Sequence, residues 1–369
     1  MMKRKFVISS AFLLALAMLI VSCGTRAPVE TPPKYEIQPA ALGEKVELHT
    51  AEQAAYLSGD PADIAAYTPT VANAERSLPM EVELSWAVSG EELPAAVTYE
   101  ISVSTSPDLR GAKVYPAAGQ SCKLCNLQIG TTYYWNVSFA EGGKVYKSET
   151  VSFTTAGQGP RNLLIDGMTN CRDLGGWNTK SGRKIKQGLL FRTARSETVS
   201  EAGKKTLLEE FGIKTEIDLR GGTSSPLVSD GVRLLSYACG SSATLTDLRA
   251  ALPEIFEVLA DENNYPLFFH CQIGTDRTGT LAFLIGALLG VSEDDLYRDF
   301  CFSNFGKICN DTDTGFTVRT PKILMQDRIE PFLRRVSGNS IQEKVQNYLR
   351  SLGISDLTLN AVAGILLED

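Results

Sequence analysis

Hydrophobic and polar positions change rhythm three times along the chain, and each rhythm predicts a different structure. Lys3, Arg4 and Lys5 precede a mostly apolar run over residues 6–21, short of the ~20 residues that span a membrane comfortably and placed where an export signal sits. From 78 to 155 apolar and polar residues alternate in short runs separated by turn residues, as in Glu81-Val82-Glu83-Leu84-Ser85-Trp86 and again at 98–103, 132–139 and 150–155. Period-two alternation at this spacing predicts a β-sandwich. After Ala156-Gly157-Gln158-Gly159-Pro160 the texture changes. Strand-like runs at 213–219, 232–237 and 266–270 are interspersed with helical stretches at 200–211, 246–260, 277–289, 293–300, 322–336, 341–352 and 357–367. This alternation predicts an α/β domain whose sheet contains parallel strands and is flanked by helices.

The expected organisation is a signal at 1–22, a stalk at 23–77, an all-β sandwich at 78–157 and the α/β domain at 160–369. A length of 369 residues fits about two domains at roughly 150 residues each. With 43% hydrophobic and 21% charged residues the chain has an ordinary globular composition. Its formal charge is −7, and removing the three basic residues of the signal leaves 33 basic against 43 acidic, or −10. That balance argues against a nucleic-acid partner. The chain has two histidines, His49 and His270, which excludes multi-histidine metal sites; no metal and no cofactor is expected. Cys122 and Cys125 form a C-x2-C without a second pair, read as a local disulfide or two reduced thiols rather than a zinc site. Cys171, Cys239, Cys301 and Cys309 read as small buried apolar side chains.

Ile20-Val21-Ser22-Cys23-Gly24 resembles the lipobox of bacterial lipoproteins. The resemblance implies lipidation of Cys23, membrane association through that anchor, and an exported protein facing the periplasm or the cell surface. The sandwich resembles a fibronectin type III module through 127–135, a turn followed by an aromatic strand, and through its closing Phe153-Thr154-Thr155. No catalytic cluster lies in it. It reads as a spacer, with a binding module as the alternative, and no residue upstream of Gly159 is expected to act in the chemistry.

The chemistry gathers where the apolar run 266–270 ends in His270-Cys271-Gln272-Ile273-Gly274-Thr275-Asp276-Arg277-Thr278-Gly279. A cysteine at a strand end, a glycine in a tight loop and an arginine at a helix start are the parts of a phosphate cradle. Loop N–H groups form an anion nest, and the planar fork of Arg277 takes two phosphate oxygens. Helix N-termini also favour the thiolate, which makes Cys271 a candidate nucleophile.

This loop resembles the signature of the protein tyrosine phosphatase superfamily. Asn170-Cys171-Arg172-Asp173-Leu174-Gly175-Gly176, Phe191-Arg192-Thr193-Ala194-Arg195-Ser196 and Ile217-Asp218-Leu219-Arg220 extend the resemblance to the bacterial tyrosine/serine phosphatase family, from about residue 162 onward. The resemblance implies that Cys271 forms a phosphocysteine and that Arg277 and the N–H groups of Gln272, Ile273, Gly274, Thr275, Asp276 and Arg277 bind phosphate. It gives Thr278 to the sulfur and His270 to the loop through a backbone hydrogen bond, and Arg172 and Asp173 read as a loop-fixing ion pair beside the Gly175-Gly176 turn. Asp276 is the first candidate for general acid and Asp218 the second. The sequence departs from the family at Gly221-Gly222-Thr223, where an acidic residue is common, and at Thr275, where many members have Lys. Loss of that charge predicts a preference for monophosphates over polyphosphorylated inositides. The polar stretch 310–320 reads as a lid flank or a surface loop. The implied partner is a phosphorylated protein or small phosphomonoester. The alternatives are a phosphoinositide or inositol-phosphate phosphatase on the same loop and a non-catalytic phosphate-binding or adhesion lipoprotein.

Overall fold

A computed structural model describes residues 33–222, 226, 228–309 and 316–369. The export signal, Cys23, the first part of the expected stalk, Thr223 and residues 310–315 lie outside the described residues.

Among the described residues eight strands build the first half: β1 (Tyr35–Pro39), β2 (Val82–Gly90), β3 (Tyr99–Ser104), β4 (Lys113–Ala117), β5 (Ser121–Leu124), β6 (Thr132–Glu141), β7 (Lys144–Lys147) and β8 (Val151–Thr154). They form two antiparallel sheets, β1-β2-β5 and β4-β3-β6-β7, with β8 also paired to β6. Alternate residues point to one face. Leu84 and Trp86 of the first sheet therefore share a core with Ile101, Val103, Trp135 and Val137 of the second.

The sandwich starts earlier than its alternation suggests, because β1 pairs with β2 from Tyr35↔Gly90 to Pro39↔Trp86. Within the described residues 23–77 is therefore not a stalk. Residues 40–48 stay against the sandwich, where Val46 bridges to Thr155 and Leu48 enters its core, and residues 49–79 then cross to the second half of the molecule and return. This strap carries α1 (Ala51–Ser58), opened by a capping box between Thr50 and Gln53, and a 3-10 turn at Pro61–Tyr67. Tyr56, Leu57 and Ile64 enter the α/β core. A single eight-residue helix and one turn are too short to raise a clear period above their Ala- and Pro-rich surroundings, which is why the pattern concealed them.

The second half contains β9 (Arg161–Asn162), β10 (Arg172–Asp173), β11 (Leu190–Thr193), β12 (Thr215–Asp218), β13 (Arg233–Ser236) and β14 (Leu267–His270), in sheet order β13-β12-β14-β11-β10-β9. The strands β11 to β14 are parallel and the other two antiparallel. Its helices are α2 (Glu201–Lys205), α3 (Leu245–Leu248), α4 (Leu252–Leu259), α5 (Asp276–Leu289), α6 (Glu293–Phe302), α7 (Glu330–Leu333), α8 (Ile341–Ser351) and α9 (Asp356–Leu366). The stretch 246–260 is thus two helices, Pro253 falling in the first turn of the second, where a missing N–H costs nothing. Helix α5 is buried throughout from Thr278 to Leu289. Gly279 lets it touch α6, since a Cβ there would lie 2.6 Å from the Phe300 ring. All seven described cysteines are free thiols, so Cys122 and Cys125 are not joined. No helix among the described residues is long and apolar enough to cross a membrane.

Candidate active site

Strand β14 lies inside the sheet with all four residues buried, and its carboxyl end delivers His270 and Cys271 to the N-terminus of α5. Ligands gather at this end of parallel strands. Between strand and helix the loop turns at Gly274, where φ is +68° and a Cβ would meet the Thr193 carbonyl oxygen at 2.4 Å. Only glycine fits.

Two buttresses set the loop's peptide planes. Asn170 Nδ2 donates to the Ile273 carbonyl at 2.9 Å and Arg192 donates to the Gly274 carbonyl at 2.8 Å. In a trans peptide C=O and N–H point oppositely, so the N–H groups of Gly274 and Thr275 are turned away from these buttresses. No backbone N–H from Gln272 through Arg277 has a hydrogen-bond acceptor among the described residues. Successive unpaired N–H groups ahead of a helix are an anion nest. Arg277, half-buried, donates one nitrogen to the carbonyls of Leu219 and Cys239 at 3.3 and 3.2 Å. Its other N–H groups carry no hydrogen bond among the described residues. Cys271 is 2% exposed.

Behind the loop, Arg172 and Arg192 converge on the buried carboxylate of Asp299. Burial pushes this carboxyl up, but Arg192 and Arg172 outweigh it and hold it below the ordinary aspartate value. Burial, and then the charge of Arg172, pull the Arg192 guanidinium down to about 10. The expected Arg172–Asp173 pair does not form, because neighbours along β10 point to opposite faces. Arg172 binds Asp299, Asn170 and Ser303. Asp173 instead pairs with Arg161 at 3.0 Å and accepts the N–H groups of Gly175 and Gly188. The fully buried His270 faces the Cys271 carbonyl at 3.3 Å and Glu216 at 3.0 Å.

Neither candidate acid is presented as a free carboxyl. Asp276 is gripped by Arg319 at 2.9 and 3.1 Å and by Arg328 at 2.7 Å. Burial raises its pKa, but the two guanidinium groups prevail and keep it below 3.8. Asp218 is fully buried and takes two bonds from the Arg220 side chain and one from the Arg220 N–H. For Asp276 such donation stabilises the charged form, opposite to what a proton donor at neutral pH needs. Thr278 is not bonded to sulfur; its hydroxyl is buried without a hydrogen-bond partner among the described residues. Thr275 is fully buried, its hydroxyl held between Asn170 and the Ile273 carbonyl, so this position does not carry charge to the mouth of the site. The expectation drawn from a missing lysine there loses its basis. Sequence reasoning missed the roles of Asn170 and Arg192, although both stand in the stretches that carry the resemblance. Asp299, Arg319 and Arg328 had no local signal, since only folding brings them to the loop.

A loop of unpaired N–H groups at a strand–helix junction, with a cysteine at its start, lies inside the region that the family comparison matches. The tyrosine phosphatase family profile matches residues 163–368, more than half of the sequence, and the chain belongs to that family. A Cupriavidus necator protein named as a tyrosine-protein phosphatase is 30% identical over 177 residues, covering 40% of this chain and 64% of that relative. The chain thus spans less than two thirds of the length of that curated relative. Among solved structures, the core catalytic domain of the S. cerevisiae PP-IP phosphatase SIW14 is 15% identical, covering 41% of this chain and 91% of that one, with a TM-score of 0.29. P. aeruginosa TpbA in complex with pTyr is 14% identical, covering 47% and 91%, also at 0.29.

Proposed function

We propose that the chain is a cysteine-dependent phosphomonoester hydrolase acting on phosphorylated proteins or small phosphomonoesters. The observation that carries this reading is the run of unpaired N–H groups from Gln272 to Arg277 around the Cys271 thiol. They would hold the three equatorial oxygens of a phosphoryl group while the free edge of Arg277 takes two of them. The Cys271 sulfur attacks phosphorus in line, the P–O bond to the leaving group breaks, and a phosphocysteine forms. Water then attacks phosphorus, releasing inorganic phosphate and the thiolate. The unpartnered Thr278 hydroxyl is a donor available to that leaving sulfur. With Asp276 and Asp218 both held by arginines, the favoured substrates have leaving groups that need little protonation, aryl phosphates and phosphotyrosine before alkyl phosphates.

The sequence of residues 20–24 supports tethering outside the cytoplasm through Cys23. The alternating strands and the 127–135 stretch support reading the sandwich as fibronectin type III-like. Turnover of para-nitrophenyl phosphate by the full chain, inhibited competitively by orthovanadate, tests the activity. Orthovanadate binding without turnover would make the protein a phosphate-binding lipoprotein instead.

A further inference from the structure

The residue that fixes the Asn170 buttress comes from outside the region matching the family. The strap runs from the sandwich across the α/β domain and is pinned along its length. His49 contacts the Pro160 carbonyl at 2.8 Å, Asn162 donates to Gln53 at 3.1 Å, Ala72 accepts the N–H groups of Ile308 and Cys309, and the Arg76 N–H reaches the Phe305 carbonyl at 2.7 Å. Between the last two anchors Glu75 turns its carboxylate inward. One oxygen accepts the backbone N–H groups of Asn170 at 2.9 Å and Lys307 at 3.1 Å. The other is held by the N–H and hydroxyl of Ser77.

Asn170 needs that hold. Its φ is +53°, in the left-handed region that asparagine visits more readily than other non-glycine residues, and the Glu75 bond to its N–H holds the backbone there. From this conformation its side chain donates to the Ile273 carbonyl and to Thr275 while its own oxygen accepts from Arg172. Three residues in series therefore connect the strap to the cradle: the Glu75 carboxylate to the Asn170 N–H, the Asn170 amide to the Ile273 carbonyl, and that peptide's plane to the direction of the Gly274 N–H.

We infer that Glu75 is a positioning residue for the phosphate loop, contributed by the segment between the first two strands of the sandwich, so that the upstream half of the chain completes the active site rather than spacing it from the membrane. The inference rests on the proposed phosphatase reading, because it assigns Glu75 to the geometry of that loop.

The test uses the full chain with Glu75→Ala, Glu75→Gln and, as a control on the strap, Gln53→Ala. Oxyanion affinity is read as competitive inhibition by orthovanadate below each variant's melting transition. Glu75→Ala is expected to weaken orthovanadate binding and lower kcat/KM for para-nitrophenyl phosphate by about tenfold, the equivalent of one hydrogen bond to a charged group. Glu75→Gln, which keeps an acceptor oxygen, recovers most of both. Gln53→Ala lowers the melting temperature and leaves orthovanadate affinity as it was. Unchanged orthovanadate affinity in Glu75→Ala, or a loss equal to that of Gln53→Ala, overturns the inference. Should Glu75→Ala not fold, Glu75→Asp is read in its place; the shorter side chain withdraws the acceptor, so severalfold weaker binding is expected and wild-type affinity overturns the inference. A wild-type chain that neither turns over the ester nor binds orthovanadate would instead refute the phosphatase reading itself.

Discussion

The guanidinium of Arg192 holds the carbonyl of Gly274 at 2.8 Å from a fully buried position, and a second nitrogen of the same fork is bound by Asp299. One planar group thus anchors the tightest turn of the phosphate loop to a carboxylate on α6. Lysine cannot span both partners. Arg192→Lys is expected to lower kcat/KM at least tenfold and to cost about 2 kcal/mol of stability, since one of its two buried partners, the Gly274 carbonyl or Asp299, loses its hydrogen bond. Urea unfolding together with steady-state rates checks both numbers; a variant with native stability and rate would remove Arg192 from the loop's support.

Arg277→Lys keeps the charge but loses the fork and is expected to be nearly as damaging as removing the side chain, by about a hundredfold or more in kcat/KM. Rates on para-nitrophenyl phosphate decide this. A near-normal rate would mean that Arg277 does not hold the phosphoryl group.

Much of this site is legible in the sequence, and the boundary of what is legible has a physical cause. Cys271, Arg277 and Gly274 are spaced along one strand–loop–helix unit, where local geometry dictates residue type, and the buried run 267–270 announces the strand that carries them. Helices α5, α6, α8 and α9 were also foreshadowed to within two residues at either end, being long enough for their apolar period to stand out. Partner choice is different. Whether Asp276 is a free acid depends on Arg319 and Arg328, more than forty residues downstream, and whether Arg172 meets Asp173 depends on strand faces rather than adjacency. The strap was unreadable for the same reason, because its few apolar residues make sense only against a core formed by sequence far away.

For Asp276 the sign of the shift gives a direct expectation. Its folded pKa lies below 3.8, so it is ionised throughout the working range, and the stability its pairs contribute is lost only as pH falls through that lower value. Asp276→Asn should therefore slow good and poor leaving groups by a similar factor and leave the shape of the pH–rate profile between about 5 and 8 unchanged. A loss confined to poor leaving groups, with the basic limb abolished, would restore Asp276 as the general acid.

If no residue upstream of Gly159 acts in the chemistry, a chain beginning there keeps its full rate. The strap reverses that expectation, because the truncation strips Tyr56, Leu57 and Ile64 from the α/β core, each worth roughly 1.5–3 kcal/mol of burial, out of a total stability of about 5–15 kcal/mol. The truncated chain should be insoluble or markedly less stable than one beginning at residue 33. Equal melting temperatures and rates for the two would show that the strap is dispensable.

The central claim is that Cys271 carries the phosphoryl group. Rapid quenching of the full chain during turnover of para-nitrophenyl phosphate, followed by mass analysis of the peptide containing Cys271, measures this directly. The account predicts a phosphoryl adduct on Cys271 that is absent from Cys271→Ser, a variant that should lose nearly all turnover while still binding orthovanadate. An adduct on another residue, or substantial turnover by Cys271→Ser, would contradict it.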